Sequence, residues 1–146
     1  MGKKIYLSPS NQNGNLYAGG NTNEMLQCNR IASALEIKLT AAGFTVKKAP
    51  QGQAMTTTIA ESNSWGADLH LCIHTNAFNG SYTGGTMCMV YSNSGDNNKA
   101  AKAMLDNLAP ITPGSDYAIQ TRPELRELCD TSCTALYTEV EFHDTA

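Results

Sequence analysis

Ala67-Asp68-Leu69-His70-Leu71-Cys72-Ile73-His74-Thr75-Asn76-Ala77 decides the fold of this chain. Leu69, Leu71 and Ile73 alternate with His70, Cys72 and His74, the period of two that a strand requires. Both sets tolerate burial, so the segment reads as a central strand covered on both sides. Asn79-Gly80-Ser81-Tyr82-Thr83-Gly84-Gly85 follows almost at once. That places His74 at the strand's carboxyl end, where open α/β sheets bind ligands. A histidine there presents a ring nitrogen to a metal or a substrate, or serves as a hydrogen-bonded structural residue.

Upstream, Lys3 to Leu7 reads as a short strand ended by Ser8-Pro9-Ser10, because proline removes a ladder donor. Asn11 to Asn23 is a polar loop with three glycines and five asparagines, too long for a mere connector. Met25, Cys28, Ala32, Leu35 and Leu39 then step by three, four, three and four, one apolar helical stripe. Asn21-Thr22-Asn23-Glu24 offers an N-cap with a glutamate at N3, a capping-box pattern, and Gly43 a left-handed C-terminal cap. Phe44 to Lys48 is a second strand, and residues 55 to 66 a shorter helix.

Downstream, Gly85 to Tyr91 reads as a strand with Met87, Met89 and Tyr91 on one face, and Asn97 to Leu108 as a helix stopped by Pro110 and Pro113-Gly114. Tyr117 to Gln120 suggests a short strand, Pro123 to Cys129 a helical turn, and Ala135 to Phe142 a final strand. Alternating strands and helices predict an α/β domain over residues 1–146. Its sheet is mostly parallel but mixed, of about five to six strands, with helices on both faces. The chain reaches Ala146 straight after a strand. The open face this implies offers self-association or marks a shortened version of a longer chain.

At 146 residues and net charge −3, with no Lys/Arg run, the chain has no electrostatic footprint for nucleic acid. No apolar stretch suggests a membrane helix. The basic start Met1-Gly2-Lys3-Lys4 is followed by too short an apolar run for a signal peptide, which predicts synthesis in the cytoplasm. Cysteines 28, 72, 88, 129 and 133 are an odd number, read as reduced thiols. Burial would keep Cys72 protonated and exclude it as a nucleophile.

Three residues could do chemistry together at the carboxyl edge: Glu24 at the start of the first helix, His74, and Glu139 in the last strand. Two carboxylates and an imidazole suit a zinc hydrolase, which keeps one coordination position open for water. Each has a plainer reading. Glu24 fits a helix cap, Glu139 and Glu141 fit a solvated edge about 6.6–6.8 Å apart along one strand face, and His143 fits a surface residue.

Four stretches in order resemble the zinc-dependent N-acetylmuramoyl-L-alanine amidases, the cell-wall amidase family of autolysins and phage endolysins. They are Ile5-Tyr6-Leu7-Ser8-Pro9-Ser10-Asn11, Asn23-Glu24, Leu71-Cys72-Ile73-His74-Thr75-Asn76-Ala77 and Tyr137-Thr138-Glu139-Val140-Glu141-Phe142. The third carries the family's Ser-Ile-His-x-Asn-Ala motif with cysteine for serine. Gly84-Gly85-Thr86 fits the family's Gly-Thr entry to the following strand. The resemblance implies a zinc-exopeptidase-like fold, one zinc ion per chain, Glu24 and His74 as ligands and Glu139 as the catalytic carboxylate. It implies peptidoglycan as substrate, cut between N-acetylmuramate and L-alanine once the protein reaches the wall by release or lysis. Asn76 and Glu141 are then candidate substrate-binding residues.

The sequence departs from that family in three places. The family's first strand ends in Pro-Gly-His, whose histidine is the third ligand; here Asn11 stands there, with Gln12 beside it. An amide oxygen is a neutral and weaker zinc ligand. Either Asn11 or Gln12 takes the place, or His143 substitutes (His70, four residues deeper, ranks last), or the metal is held poorly. Glu141 replaces the usual glycine, and the helix that follows the final strand in the family is missing. Two other readings stay open: a degenerate amidase fold that binds muropeptide without cleaving it, and a related zinc exopeptidase.

Overall fold

The computed structural model describes residues 2–80, 84–114 and 118–145. Six strands form one sheet in the order β2-β1-β3-β6-β4-β5. The strands are β1 (Lys4–Pro9), β2 (Thr45–Lys48), β3 (Leu69–Asn76), β4 (Met87–Val90), β5 (Ala118–Thr121) and β6 (Thr134–Phe142). The helices are α1 (Glu24–Ala41), α2 (Met55–Trp65), α3 (Gly95–Leu108) and α4 (Arg126–Cys129). β3 is central, paired in parallel with β1 and β6. This is the mostly parallel α/β sheet the alternation predicts. Among the described residues no helix is long and apolar enough to cross a membrane.

β4 runs antiparallel to β6. The link from β3 contains no described helix to carry the chain back across the sheet, so β4 starts at the edge where β3 ended and returns. It is also shorter than expected, because Gly84 and Gly85 take φ of 91° and 84°, outside the extended region. The expected Tyr117 start of β5 lies outside the described residues.

The two sheet faces differ in chemistry. Ile5, Leu7, Leu71, Ile73, Leu136, Cys88 and Val90 form the main apolar core with Cys28 and Ala32 of α1 and Ala101 and Leu105 of α3. The opposite face carries Tyr6, Ser8, His70, Cys72 and His74, all buried. Polar groups out of water must find partners, and this face supplies them. All five cysteines are free thiols.

α1 begins differently from its capping-box reading. Asn23 is the N-cap and its Oδ1 accepts from Leu26 N at 2.9 Å. Glu24 is therefore the first helical residue, too early for the N3 role, and its carboxylate is free to turn into the sheet edge. The helix ends on Ala42, with Gly43 beyond it at φ 94°, the expected left-handed glycine.

Candidate active site

The carboxyl ends of β1, β3 and β6 lie side by side, and the chain winds away in opposite directions from β1 and β3. Such a switch point opens a crevice at the strand tips. β3 brings His74 to it from one side, and α1 brings Glu24 from above. Glu24 Oε1 and His74 Nδ1 are 2.8 Å apart, both groups buried. Asn15, in the long loop, donates to Glu24 Oε2 at 2.6 Å. Burial alone would push the Glu24 carboxyl up, but the hydrogen bonds from His74 and Asn15 outweigh it and hold the group below its usual value. The His74 ring is stacked on Tyr137 of β6, centroids 4.2 Å apart, which fixes its plane.

Glu139 is paired with His74 in the β3–β6 ladder. Its Oε2 is buried and has no hydrogen-bond partner. Burial pushes this carboxyl up to about 7, with Glu24 adding to the rise and His74 and Arg122 opposing it. Sequence reasoning named Glu24, His74 and Glu139 from three distant stretches, and the sheet edge draws them into one neighbourhood.

The other expected residues part company here. Asn11 turns away: it is exposed, and its Nδ2 donates to Gln53 O at 3.0 Å. Gln12 instead places its side-chain amide 3.5 Å from His74 Nδ1 and 2.8 Å from Asn15 Nδ2. His143 joins a different group, with Nδ1 2.9 Å from Thr75 Oγ1 and its ring stacked on Tyr17. The cause is a register shift between His74 and Asn76 that inserts an extra residue into β6. Glu141 sits in that bulge at φ 57°, so the strand face expected to be shared by Glu139 and Glu141 is broken, and His143, expected at the surface, is buried. Glu141 Oε1 accepts from Gly114 N at 2.7 Å. Asn76 Oδ1 accepts from Ala77 N at 2.8 Å, closing the end of β3.

A second polar group, one turn of the pleat deeper, was not foreseen as a unit. His70 Nε2 lies 3.0 Å from Glu127 Oε1, and His70 Nδ1 lies 2.9 Å from Ser62 Oγ. Ser8 Oγ donates to the same Glu127 oxygen. The His70 ring is stacked on Tyr6 at 5.5 Å. Burial would raise the Glu127 carboxyl, but the His70 and Ser8 hydrogen bonds hold it below its usual value. Cys72 is fully enclosed, and burial with the nearby Glu127 charge pushes its thiol well up, as expected. Among the described residues, His70, Cys72 and Glu127 are the one group of three His, Cys, Asp or Glu whose ligand atoms lie mutually within 4.8 Å. This trio could hold a metal ion. Glu127 comes from the helical turn after β5, whose short polar sequence carries no periodic signal pointing inward.

A cleft of about 360 Å³ joins the two groups, with His74 and Tyr137 on one wall and Ser8 and Glu127 on another. The donor set at its upper end fits a divalent cation. Glu24 and His74, 2.8 Å apart, would supply a carboxylate oxygen and an imidazole nitrogen, donors that zinc accepts. Gln12 lies beside the pair, turning its Nε2 toward His74 while its Oε1 accepts from Asn15, so it would need to rotate its amide to offer an oxygen. The orphaned Glu139 Oε2 is a buried acceptor that the protein leaves unsatisfied. The deeper trio fits less well, because burial and the Glu127 charge hold the Cys72 thiol protonated, whereas a cysteine binds metal as the thiolate.

Residues 10–146 match the protein family described as Amidase_3, N-acetylmuramoyl-L-alanine amidase. Among solved structures, the chain is similar to the catalytic domain of CwlV, an N-acetylmuramoyl-L-alanine amidase from Bacillus (Paenibacillus) polymyxa var. colistinus. The TM-score is 0.86 at 17% identity, over 98% of this chain and 82% of that one. It is also similar to Cwp6 from Clostridium difficile, with TM-score 0.89 and 23% identity over 99% of this chain and 25% of that one. The catalytic domain of the CD27L endolysin targeting Clostridia difficile gives TM-score 0.77 and 23% identity, over 99% of this chain and 83% of that one. At such identities the likeness shows a shared fold. No curated protein matches the chain significantly.

Proposed function

The chain belongs to the N-acetylmuramoyl-L-alanine amidase family of peptidoglycan hydrolases, and from that premise we propose that Glu24, His74 and Gln12 hold one zinc ion while Glu139 is the catalytic carboxylate. The substrate is the amide between the lactyl group of N-acetylmuramate and L-alanine of the stem peptide, met once the protein reaches the wall by release or lysis. The observation that carries the reading is the buried Glu139 Oε2, left without a hydrogen-bond partner at the strand position paired with His74 of the Glu24–His74 pair.

Zinc bound there would polarise the amide carbonyl and lower the pKa of the attacking water. The rest is work for this chain's own groups. Tyr137 holds the His74 ring in plane, and Asn15 keeps Glu24 ionised and oriented. Glu139, with a carboxyl near 7, is poised to accept the proton of the attacking water and return it to the leaving nitrogen. The C–N bond breaks, leaving a lactyl carboxylate and a free L-alanine amine. The cleft at the carboxyl ends of β1 and β3 would receive the stem peptide beside His74.

The test is release of new L-alanine amino termini from purified wall, with and without chelator, by the wild type and Glu139→Gln. Loss in both treated cases supports the mechanism; unchanged release in either overturns it. One observation favours a second reading, a wall-binding fold without cleavage: the third donor is an amide and no histidine takes its place. Zinc content near one per chain after dialysis argues against it.

A further inference from the structure

A second, larger cavity of about 680 Å³ lies at the same sheet edge, between the flank of α1 and the end of β2. It is lined by Arg30 and Lys48 with the side chains of Gln27, Asn29 and Gln51, and no carboxylate borders it. That is unusual placement in a chain of net charge −3. Among the described residues neither Arg30 nor Lys48 makes an ion pair, whereas neighbouring Lys47 is taken up by Glu61. Asn29 is buried, and its Oδ1 has no hydrogen-bond partner. Its Nδ2 donates to Ser10 O and Met25 O, and Ser10 also lines the catalytic cleft. Two cations outside any ion pair among the described residues thus border a hollow whose lining residue Asn29 is hydrogen-bonded to Ser10 of the neighbouring cleft.

We propose that this hollow is the stem-peptide subsite, in which Arg30 and Lys48 bind a free carboxylate carried two to three residues beyond the scissile amide. The proposal rests on the amidase reading for the identity of the ligand. The spacing follows from the sheet. β2 lies two strands from β3, about 10 Å, and an extended peptide covers that in about three residues at roughly 3.3–3.6 Å each. Arginine with lysine, and no acid between them, selects a carboxylate over the neutral carboxamide that replaces it in an amidated stem.

Binding is measured by calorimetry in the Glu139→Gln protein, which prevents turnover. The ligands are an N-acetylmuramoyl tripeptide with free carboxylates, its fully amidated analogue, and N-acetylmuramoyl-L-alanine amide as the short control. The free-carboxylate ligand should bind about tenfold more tightly than the amidated one, the scale of a charge-assisted hydrogen bond. Arg30→Gln with Lys48→Gln should remove that preference and leave the short ligand's affinity unchanged, and Lys99→Gln should leave the preference intact. Equal affinity for both tripeptides, or a preference that survives the double replacement, overturns the proposal. Hydrolysis of the same tripeptide by the wild type is followed in parallel. No hydrolysis with the preference retained defeats the amidase mechanism and supports the subsite, and hydrolysis without any preference does the reverse.

Discussion

Replacing Glu139 by glutamine should stabilise the metal-free protein, and only above the pH at which the buried carboxyl ionises. Burial raises this group from 4.5 to about 7, so the folded chain binds its proton more tightly than the unfolded chain does. The stability this contributes is fully present below about 4.5 and is lost as pH rises through 7. The gap from 4.5 to about 7, at about 1.4 kcal/mol per pH unit, comes to about 3 kcal/mol. Glutamine keeps the shape without the charge. At pH 8 the variant should therefore unfold about 6–12 °C higher than the wild type, taking about 2–4 °C per kcal/mol for a chain of this size. Partial exposure of Glu139 favours the lower end. Glu24 and Glu127, whose carboxyls are held low, behave oppositely: their stabilisation is present above about 4.5 and lost as pH falls. Both occur in wild type and variant and cancel in the difference. Urea unfolding in chelator at pH 4.5, 6, 7 and 8 reads it out. A difference independent of pH, or a variant less stable than wild type at pH 8, would refute the reasoning. Zinc added at pH 8 should narrow the gap, since a nearby cation favours the ionised carboxylate.

Three further outcomes follow from the site's construction. Gln12→His should raise zinc affinity at least tenfold, the lower end of what ligand-shell changes achieve, while Asn11→His should not, because position 11 faces Gln53 O; competition against a zinc chelator separates the two. His70→Leu leaves the Glu127 charge buried without its partner and should cost about 3–5 kcal/mol. Adding Glu127→Leu should recover part of that loss in a denaturant double-mutant cycle. At position 141, where φ is 57°, Glu141→Gly should be more stable than Glu141→Ala by about 1 kcal/mol, because only glycine adopts that conformation without strain; thermal melts of the pair decide it.

Much of the architecture was legible along the chain because it depends on local period. Leu69, Leu71 and Ile73 alternate as a strand must, and the Met25–Leu39 stripe repeats as a helix must. The order of His74, Glu24 and Glu139 at element ends was legible for the same reason. What local pattern could not decide was direction and rotation. β4 runs backwards because no described helix joins it to β3, and the β6 bulge at Glu141 turns His143 towards Thr75. One residue of backbone displacement reverses every side chain beyond it, and no composition rule marks where that occurs.

The sequence by itself determined that this is an α/β chain of the amidase family, and it singled out a carboxylate at a helix start, an imidazole near a strand end and a second carboxylate in the last strand. Only the tertiary structure decided that Gln12 rather than Asn11 approaches His74, that Glu127 is buried against His70, and that Arg30 and Lys48 share a hollow beside the cleft. The reason is physical: which groups meet across a sheet edge depends on register and loop path summed over many residues, whereas period and end signals are set within a few.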